Sequence, residues 1–120
     1  MKFLWTTIRV HNMNESLKFY QEIVGLELIN RFQAGPDTEI SFLGNGETKV
    51  ELICNDSDKN INPGNAVSLG FNTESLDEKI NLVKENGIKI TAGPTQPNAN
   101  LKFFMINDPN GITIQFAEQM

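Results

Sequence analysis

Glu51 and Gln115 are the side chains in this sequence best placed to do chemistry. Each interrupts an alternating strand-like stretch, Lys49-Val50-Glu51-Leu52-Ile53-Cys54 and Gly111-Ile112-Thr113-Ile114-Gln115-Phe116-Ala117. Period-2 alternation puts Val50, Leu52 and Cys54 on one face, and Ile112, Ile114 and Phe116 on the matching face of the second stretch. Glu51 then shares the opposite face with Lys49, and Gln115 with Thr113. A carboxylate there has two readings. It forms an ion pair with Arg9 or Lys49 that ties neighbouring strands together, or it sits in a partly desolvated cleft, poised as a general base. Cys54, on the apolar face, reads as a buried inert thiol rather than a nucleophile. His11, the only histidine, falls just past a strand and reads as exposed or capping rather than as a ligand or base.

The elements that must position these groups repeat. Leu4, Thr6, Ile8 and Val10 alternate with Trp5, Thr7 and Arg9 in a strand over Phe3 to Val10. Asn12, with Glu15 three residues on, caps a helix that runs to about Val24 and stops at Gly25. Strands follow over Leu26–Phe32, Glu39–Leu43 and Lys49–Cys54. Asn55 to Asn65, with Pro63-Gly64, reads as a linker. The order then recurs: a strand over Ala66–Asn72 (with Val67, Leu69 and Phe71 on its apolar face), a helix over Leu76–Asn86 closed by Gly87, and a short strand over Ile88–Thr91. A loop over Ala92–Asn100 and strands over Leu101–Ile106 and Ile112–Ala117 complete it. The fold class is α+β: two tandem βαβββ modules whose curved mixed sheets enclose a cleft, one helix on the outer face of each. The expectation is a single domain, with module one over 1–54, the linker over 55–65 and module two over 66–120.

One helix covers only one face of each sheet. The apolar faces take the helices, which leaves Trp5, Thr7, Arg9, Lys49, Glu51, Ser68, Gly70, Asn72, Thr113 and Gln115 on the others. Such a mixed set fits a ligand cleft as well as a solvated sheet face. A net charge of −5 with no basic cluster argues against nucleic acid. The apolar runs are too short to span a membrane, and Met1 to Thr7 lacks the apolar core of a signal peptide. A single cysteine fits a reducing cytoplasm.

Thr7-Ile8-Arg9-Val10, then Asn12-Met13-Asn14-Glu15-Ser16-Leu17-Lys18-Phe19-Tyr20 and Val24-Gly25-Leu26-Glu27-Leu28, resembles the opening of the vicinal oxygen chelate superfamily. That superfamily includes glyoxalase I, bleomycin-resistance proteins and extradiol dioxygenases. Asn107-Asp108-Pro109-Asn110-Gly111, with Ile112-Thr113-Ile114-Gln115-Phe116, resembles its closing hairpin and strand. The resemblance implies paired modules that form cups, and in small members a homodimer that makes two clefts. It also implies four metal-ligand positions, which fall on Trp5, Glu51, Ser68 (or Val67, with the register slipped by one) and Gln115. Only Glu51 keeps the usual ligand type, whereas a catalytic site needs about three donors from His, Cys, Asp and Glu. The expectation is therefore no metal and no other cofactor.

The functional expectation is a cytoplasmic homodimer that binds a small organic molecule, with neither nucleic acid nor membrane as partner. Trp5, Thr7, Arg9, Ser68 and Gln115 are its ligand-binding candidates. Trp5 offers a plane for stacking a flat molecule, or fills the space that a metal site would take. The alternative is a glyoxalase I-like lyase or isomerase (lactoylglutathione lyase-type) in which Glu51 is the catalytic base.

Overall fold

In the computed structural model, which describes residues 1–58 and 60–120, the chain divides into two compact units, Met1–Asn62 and Pro63–Met120. The first holds β1 (Trp5–Arg9), α1 (Met13–Lys18), β2 (Leu28–Gln33), β3 (Thr38–Leu43) and β4 (Lys49–Asn55). The second holds β5 (Ser68–Asn72), α2 (Leu76–Glu85), β6 (Ala92–Asn98), β7 (Leu101–Asn107) and β8 (Thr113–Gln119). Each unit is thus a βαβββ module with one helix and one four-stranded mixed sheet. The strand orders, β1-β4-β3-β2 and β5-β8-β7-β6, are equivalent. The first strand of each module runs parallel to its last, and the remaining pairings are antiparallel.

Local chemistry explains the helix ends. Asn12 accepts a hydrogen bond from the Glu15 N–H at 3.0 Å, and Ser75 accepts one from Glu78 at 3.2 Å, so each helix starts with an orphan donor satisfied. Glu118 Oε1 takes the Leu76 N–H at 2.7 Å, which ties the start of α2 to β8. Past Lys18 the first helix widens into a π-helical stretch over Phe19–Val24, and Gly25 ends it at φ +92°. Inward-facing strand and helix residues make the core of each unit: Ile8, Val10, Leu17, Tyr20, Leu43 and Leu52 in the first, and Leu76, Val83, Phe104, Ile106, Ile114 and Phe116 in the second.

Four details depart from the sequence reading. Residues 88–91 are not a strand; β6 is instead built from Ala92–Asn98, the stretch expected to be a loop. Pro94 and Pro97 offer no N–H, but β6 is an edge strand, so they need not donate to a second neighbour. Its pairing with β7 is accordingly broken, with Ala92, Thr95 and Asn98 in register with Met105, Phe103 and Leu101. Val67 lies ahead of β5 and is 59% exposed, and Leu4 precedes β1 and is exposed too, so neither joins a helix-facing surface. Cys54 is only half-buried, because it sits near the end of β4, where its thiol donates weakly to the His11 carbonyl at 3.7 Å. Asn55, expected to open the linker, is the last residue of β4.

Candidate functional site

The parallel pairing of β1 with β4 sets Thr7 opposite Glu51, and the antiparallel pairing of β3 with β4 sets Phe42 opposite Glu51 on its other side. Glu51 is buried, with 9% of its surface exposed. Its Oε1 accepts a hydrogen bond from the Thr7 hydroxyl at 2.5 Å. Among the described residues this is the only hydrogen bond its side chain makes.

An aromatic wall stands beside that carboxylate. Trp5 meets Phe42 edge-to-face, with ring centres 5.4 Å apart at 75°, and Phe42 lies nearly parallel to Phe32 at 6.5 Å. Strand register places Ile40, opposite both Phe32 and Ile53, on the same face. Trp5 remains 45% exposed, so its ring is available to a planar partner. This face, away from α1, thus combines an apolar plane with one nearly buried acceptor.

Arg9 does not neutralise that acceptor. Its Nη1 pairs with Asp58 Oδ2 at 2.9 Å, in the turn that follows β4. The ion pair expected between Glu51 and Arg9 or Lys49 does not form, because Thr7 stands in register with Glu51 whereas Arg9 is opposite Ile53 and Lys49 opposite Trp5. Arg9 and Asp58 instead border a cavity of about 390 Å³ with Ile53, Asn55, Ser57 and Ile61. Asn55 stiffens its floor by donating to Thr38 Oγ1 at 2.9 Å and accepting from the Ser57 hydroxyl at 2.6 Å.

Trp5, Thr7, Arg9 and Glu51 therefore share one sheet face. Ser68 and Gln115 occupy the equivalent face of the second sheet, where Ser68 is opposite Thr113 and Gly70 opposite Gln115. The repeat holds residue by residue, since Trp5 opposite Lys49 and Thr7 opposite Glu51 match these two pairs. A Cβ at Gly70 would come within 3.9 Å of Gln115 Oε1, so the glycine leaves the amide room where Thr7 engages the carboxylate. Among the described residues, no three His, Cys, Asp or Glu side chains gather in one place.

Phe32, Ile40, Phe42 and Ile53 were not picked out by sequence. Thr38–Leu43 carries apolar residues on both faces, so alternation could not assign them; register with β4 does. The outcome is unexpected, because Ser41 takes the helix side while Phe42 faces out.

The chain matches, over residues 2–116, the family described as the Glyoxalase/Bleomycin resistance protein/Dioxygenase superfamily. It belongs to this superfamily. Lactoylglutathione lyase of Neisseria meningitidis is 30% identical over 128 residues, covering 99% of this chain and 91% of the relative. The enzyme of the same name from Salmonella typhimurium is 28% identical over 127 residues, covering 98% and 93%. Among solved structures, the trypanothione-dependent glyoxalase I of Leishmania major superposes with a TM-score of 0.85 at 22% identity, covering 98% of this chain and 86% of that one. TnmS3, an antibiotic-binding protein from Streptomyces sp. CB03234, superposes with a TM-score of 0.77 at 21% identity, covering 100% and 97%. Enzymes and a binding protein thus share this superfamily member's fold.

Proposed function

We propose that this superfamily member binds a small planar molecule on the open face of its first sheet, and does so without a divalent metal. The observation that carries the reading is Glu51, nearly buried beside Trp5 and Phe42 with a neutral hydroxyl as its partner. A buried carboxylate is costly unless its oxygens are hydrogen-bonded. An N–H or O–H carried by an aromatic ligand supplies that second bond while its ring stacks on Trp5. With Arg9 held by Asp58, the site favours a donor-bearing ligand over an anionic one.

The family's metal positions support the metal-free part. Trp5, Glu51, Ser68 and Gln115 offer one carboxylate, one amide, one hydroxyl and an indole whose N–H cannot coordinate. That set does not fit a divalent ion that needs about three anionic or imidazole donors. The protein as isolated should carry no stoichiometric Zn, Ni or Fe by elemental analysis.

The same reading takes the protein as a cytoplasmic homodimer, on its single cysteine and the habit of small relatives. A stable monomer by light scattering would remove the dimer.

Three probes test the ligand class: 2-naphthol, its methyl ether, which lacks the donor, and naphthalene-2-carboxylate. Quenching of Trp5, the one tryptophan, and calorimetry report binding. The naphthol should bind about tenfold more tightly than the ether, the equivalent of one hydrogen bond of about 1.4 kcal/mol. Glu51→Ala should erase that preference, and Trp5→Ala should weaken both ligands. Equal affinity for all three probes would refute the role given to Glu51.

The second reading is a glyoxalase I-like lyase or isomerase with Glu51 as base, favoured by the identity to the Neisseria lyase over almost the whole chain. Turnover of the hemithioacetal of methylglyoxal and glutathione, abolished by Glu51→Ala, would establish it in place of the first.

A further inference from the structure

The structure assigns Asn45-Gly46, in the turn between β3 and β4, as a site of spontaneous deamidation. It selects this site over two others of identical sequence. The chain contains three Asn-Gly pairs: Asn45-Gly46, Asn86-Gly87 and Asn110-Gly111. In any of them the reaction begins when the glycine amide nitrogen, losing its proton, attacks the Asn side-chain Cγ. A C–N bond forms, the Cγ–Nδ2 bond breaks and ammonia leaves. Water then opens the succinimide at either carbonyl, which gives aspartate or isoaspartate. Two conditions set the rate: the glycine nitrogen must be free to swing onto Cγ, and the Asn side chain must be free to meet it.

Two of the three pairs fail both conditions. The Gly87 N–H is held by the Lys84 carbonyl at 3.0 Å, while Asn86 Nδ2 donates to the Leu82 carbonyl at 2.8 Å at the end of α2. The Gly111 N–H is held by the Asp108 carbonyl at 3.1 Å, and the Asn110 N–H and Nδ2 both donate to the Asp108 carboxylate, at 2.8 and 3.3 Å. Asn110 is moreover buried, with 8% of its surface exposed.

Asn45-Gly46 meets both conditions. The pair is exposed, and neither residue hydrogen-bonds to any described residue. Beyond its chain neighbours, no atom lies within 4 Å of where a Gly46 Cβ would stand, so no other part of the unit crowds the pair. The turn is pinned at its ends, by the Gly44 N–H on the Glu27 carbonyl at 2.8 Å and by the Lys49 N–H and the Thr48 hydroxyl on the Leu4 carbonyl at 3.0 and 3.2 Å. An exposed loop tip held in this way can deform without loss of the sheet.

The product bears on the open face of the first sheet. A new carboxylate appears two residues before Glu47 and makes the chain more negative than its formal −5. The isoaspartate product also inserts a backbone methylene into the link between the strands that carry Phe42 and Glu51.

Trypsin separates the three pairs, since Asn45 falls in Phe32–Lys49, Asn86 in Glu85–Lys89 and Asn110 in Phe103–Met120. The folded protein is incubated at mildly alkaline pH and body temperature, and each peptide is followed by mass and by isoaspartate content. The expected result is conversion at Asn45 at least tenfold faster than at Asn86 or Asn110. In guanidinium chloride the three rates should converge. Gly46→Ala, which the open turn accommodates, should suppress the acidic species in the folded protein. Equal rates in the folded chain would overturn the assignment, as would conversion led by Asn86 or Asn110, or an Asn45 that stays intact while the unfolded chain converts.

Discussion

Replacing Thr7 by valine keeps the shape of the side chain and removes the one hydrogen bond that the Glu51 carboxylate receives from the described residues. A hydrogen bond to a charged group contributes about 1.5–3 kcal/mol. Thr7 itself is exposed, so water can follow the lost hydroxyl, and the low end, about 1.5 kcal/mol, applies. Valine is at least as good a strand former as threonine, so intrinsic propensity would not produce a loss. With about 2.1 cal/mol/K of unfolding entropy per residue, a chain of 120 residues should lose about 6 °C in Tm. Urea titration should show a lower midpoint at unchanged slope. Thr7→Ser, which keeps the donor, should recover most of the loss. In a Glu51→Gln background the same Thr7→Val change should cost about 0.5–1 kcal/mol less, because a neutral acceptor binds the hydroxyl more weakly. A Thr7→Val penalty of the same size in both backgrounds would mean that the hydroxyl does not act through the carboxylate.

Ser41 Oγ is buried and finds no hydrogen-bond partner among the described residues, so Ser41→Ala should be neutral or stabilising by up to about 1 kcal/mol in urea. Gly93 has φ +80°, and a Cβ there would meet the Phe103 carbonyl oxygen at 2.9 Å and the Phe104 Cα at 3.1 Å. These are backbone atoms that cannot give way, so Gly93→Ala should cost about 3 kcal/mol by the same titration. Lys79 stands 5.0 Å from the centre of the Phe116 ring, and desolvation lowers its pKa. Between that lowered value and the ordinary lysine value the unfolded chain binds more protons. Stability should therefore rise with pH across that window relative to Lys79→Met, and a constant difference between the two would contradict it.

How much of this was legible depended on whether a strand is polar on one face. Alternation in Trp5–Arg9 and Lys49–Cys54 sorted Thr7 and Glu51 onto one face correctly, because Ile8 and Leu52 are unambiguous core residues. Asn12 and Gly25 fixed the ends of the first helix, since a cap and a positive φ are local demands. The Asp108-Pro109-Asn110-Gly111 turn was legible for the same reason, with Asp108 Oδ1 accepting from the Asn110 and Ile112 N–H groups. β3 was not legible by face, being apolar on both. β6 was hidden by its prolines, whose meaning depends on an edge position that sequence does not state. The partner of Arg9 was hidden because Asp58 lies in a stretch with no periodicity at all.

That last pairing sets the electrostatics of the open face, and it can be reversed. Arg9 is opposite Ile53, two residues along β4 from Glu51, which makes Arg9 and Glu51 diagonal neighbours about 7–8 Å apart at the backbone. A guanidinium can span that distance, and it is Asp58 that holds it away. The Arg9 side chain is 72% exposed in this pair, so the bond itself contributes at most about 1 kcal/mol. Asp58→Asn should therefore barely change stability, yet it frees Arg9 to reach the Glu51 oxygen that a ligand donor would otherwise use. On the binding role proposed for Glu51, the preference for 2-naphthol over its methyl ether should shrink in Asp58→Asn. It should return when Arg9→Ala is added. A preference unchanged by Asp58→Asn would show that Arg9 does not compete for Glu51, and that the carboxylate's availability owes nothing to the turn after β4.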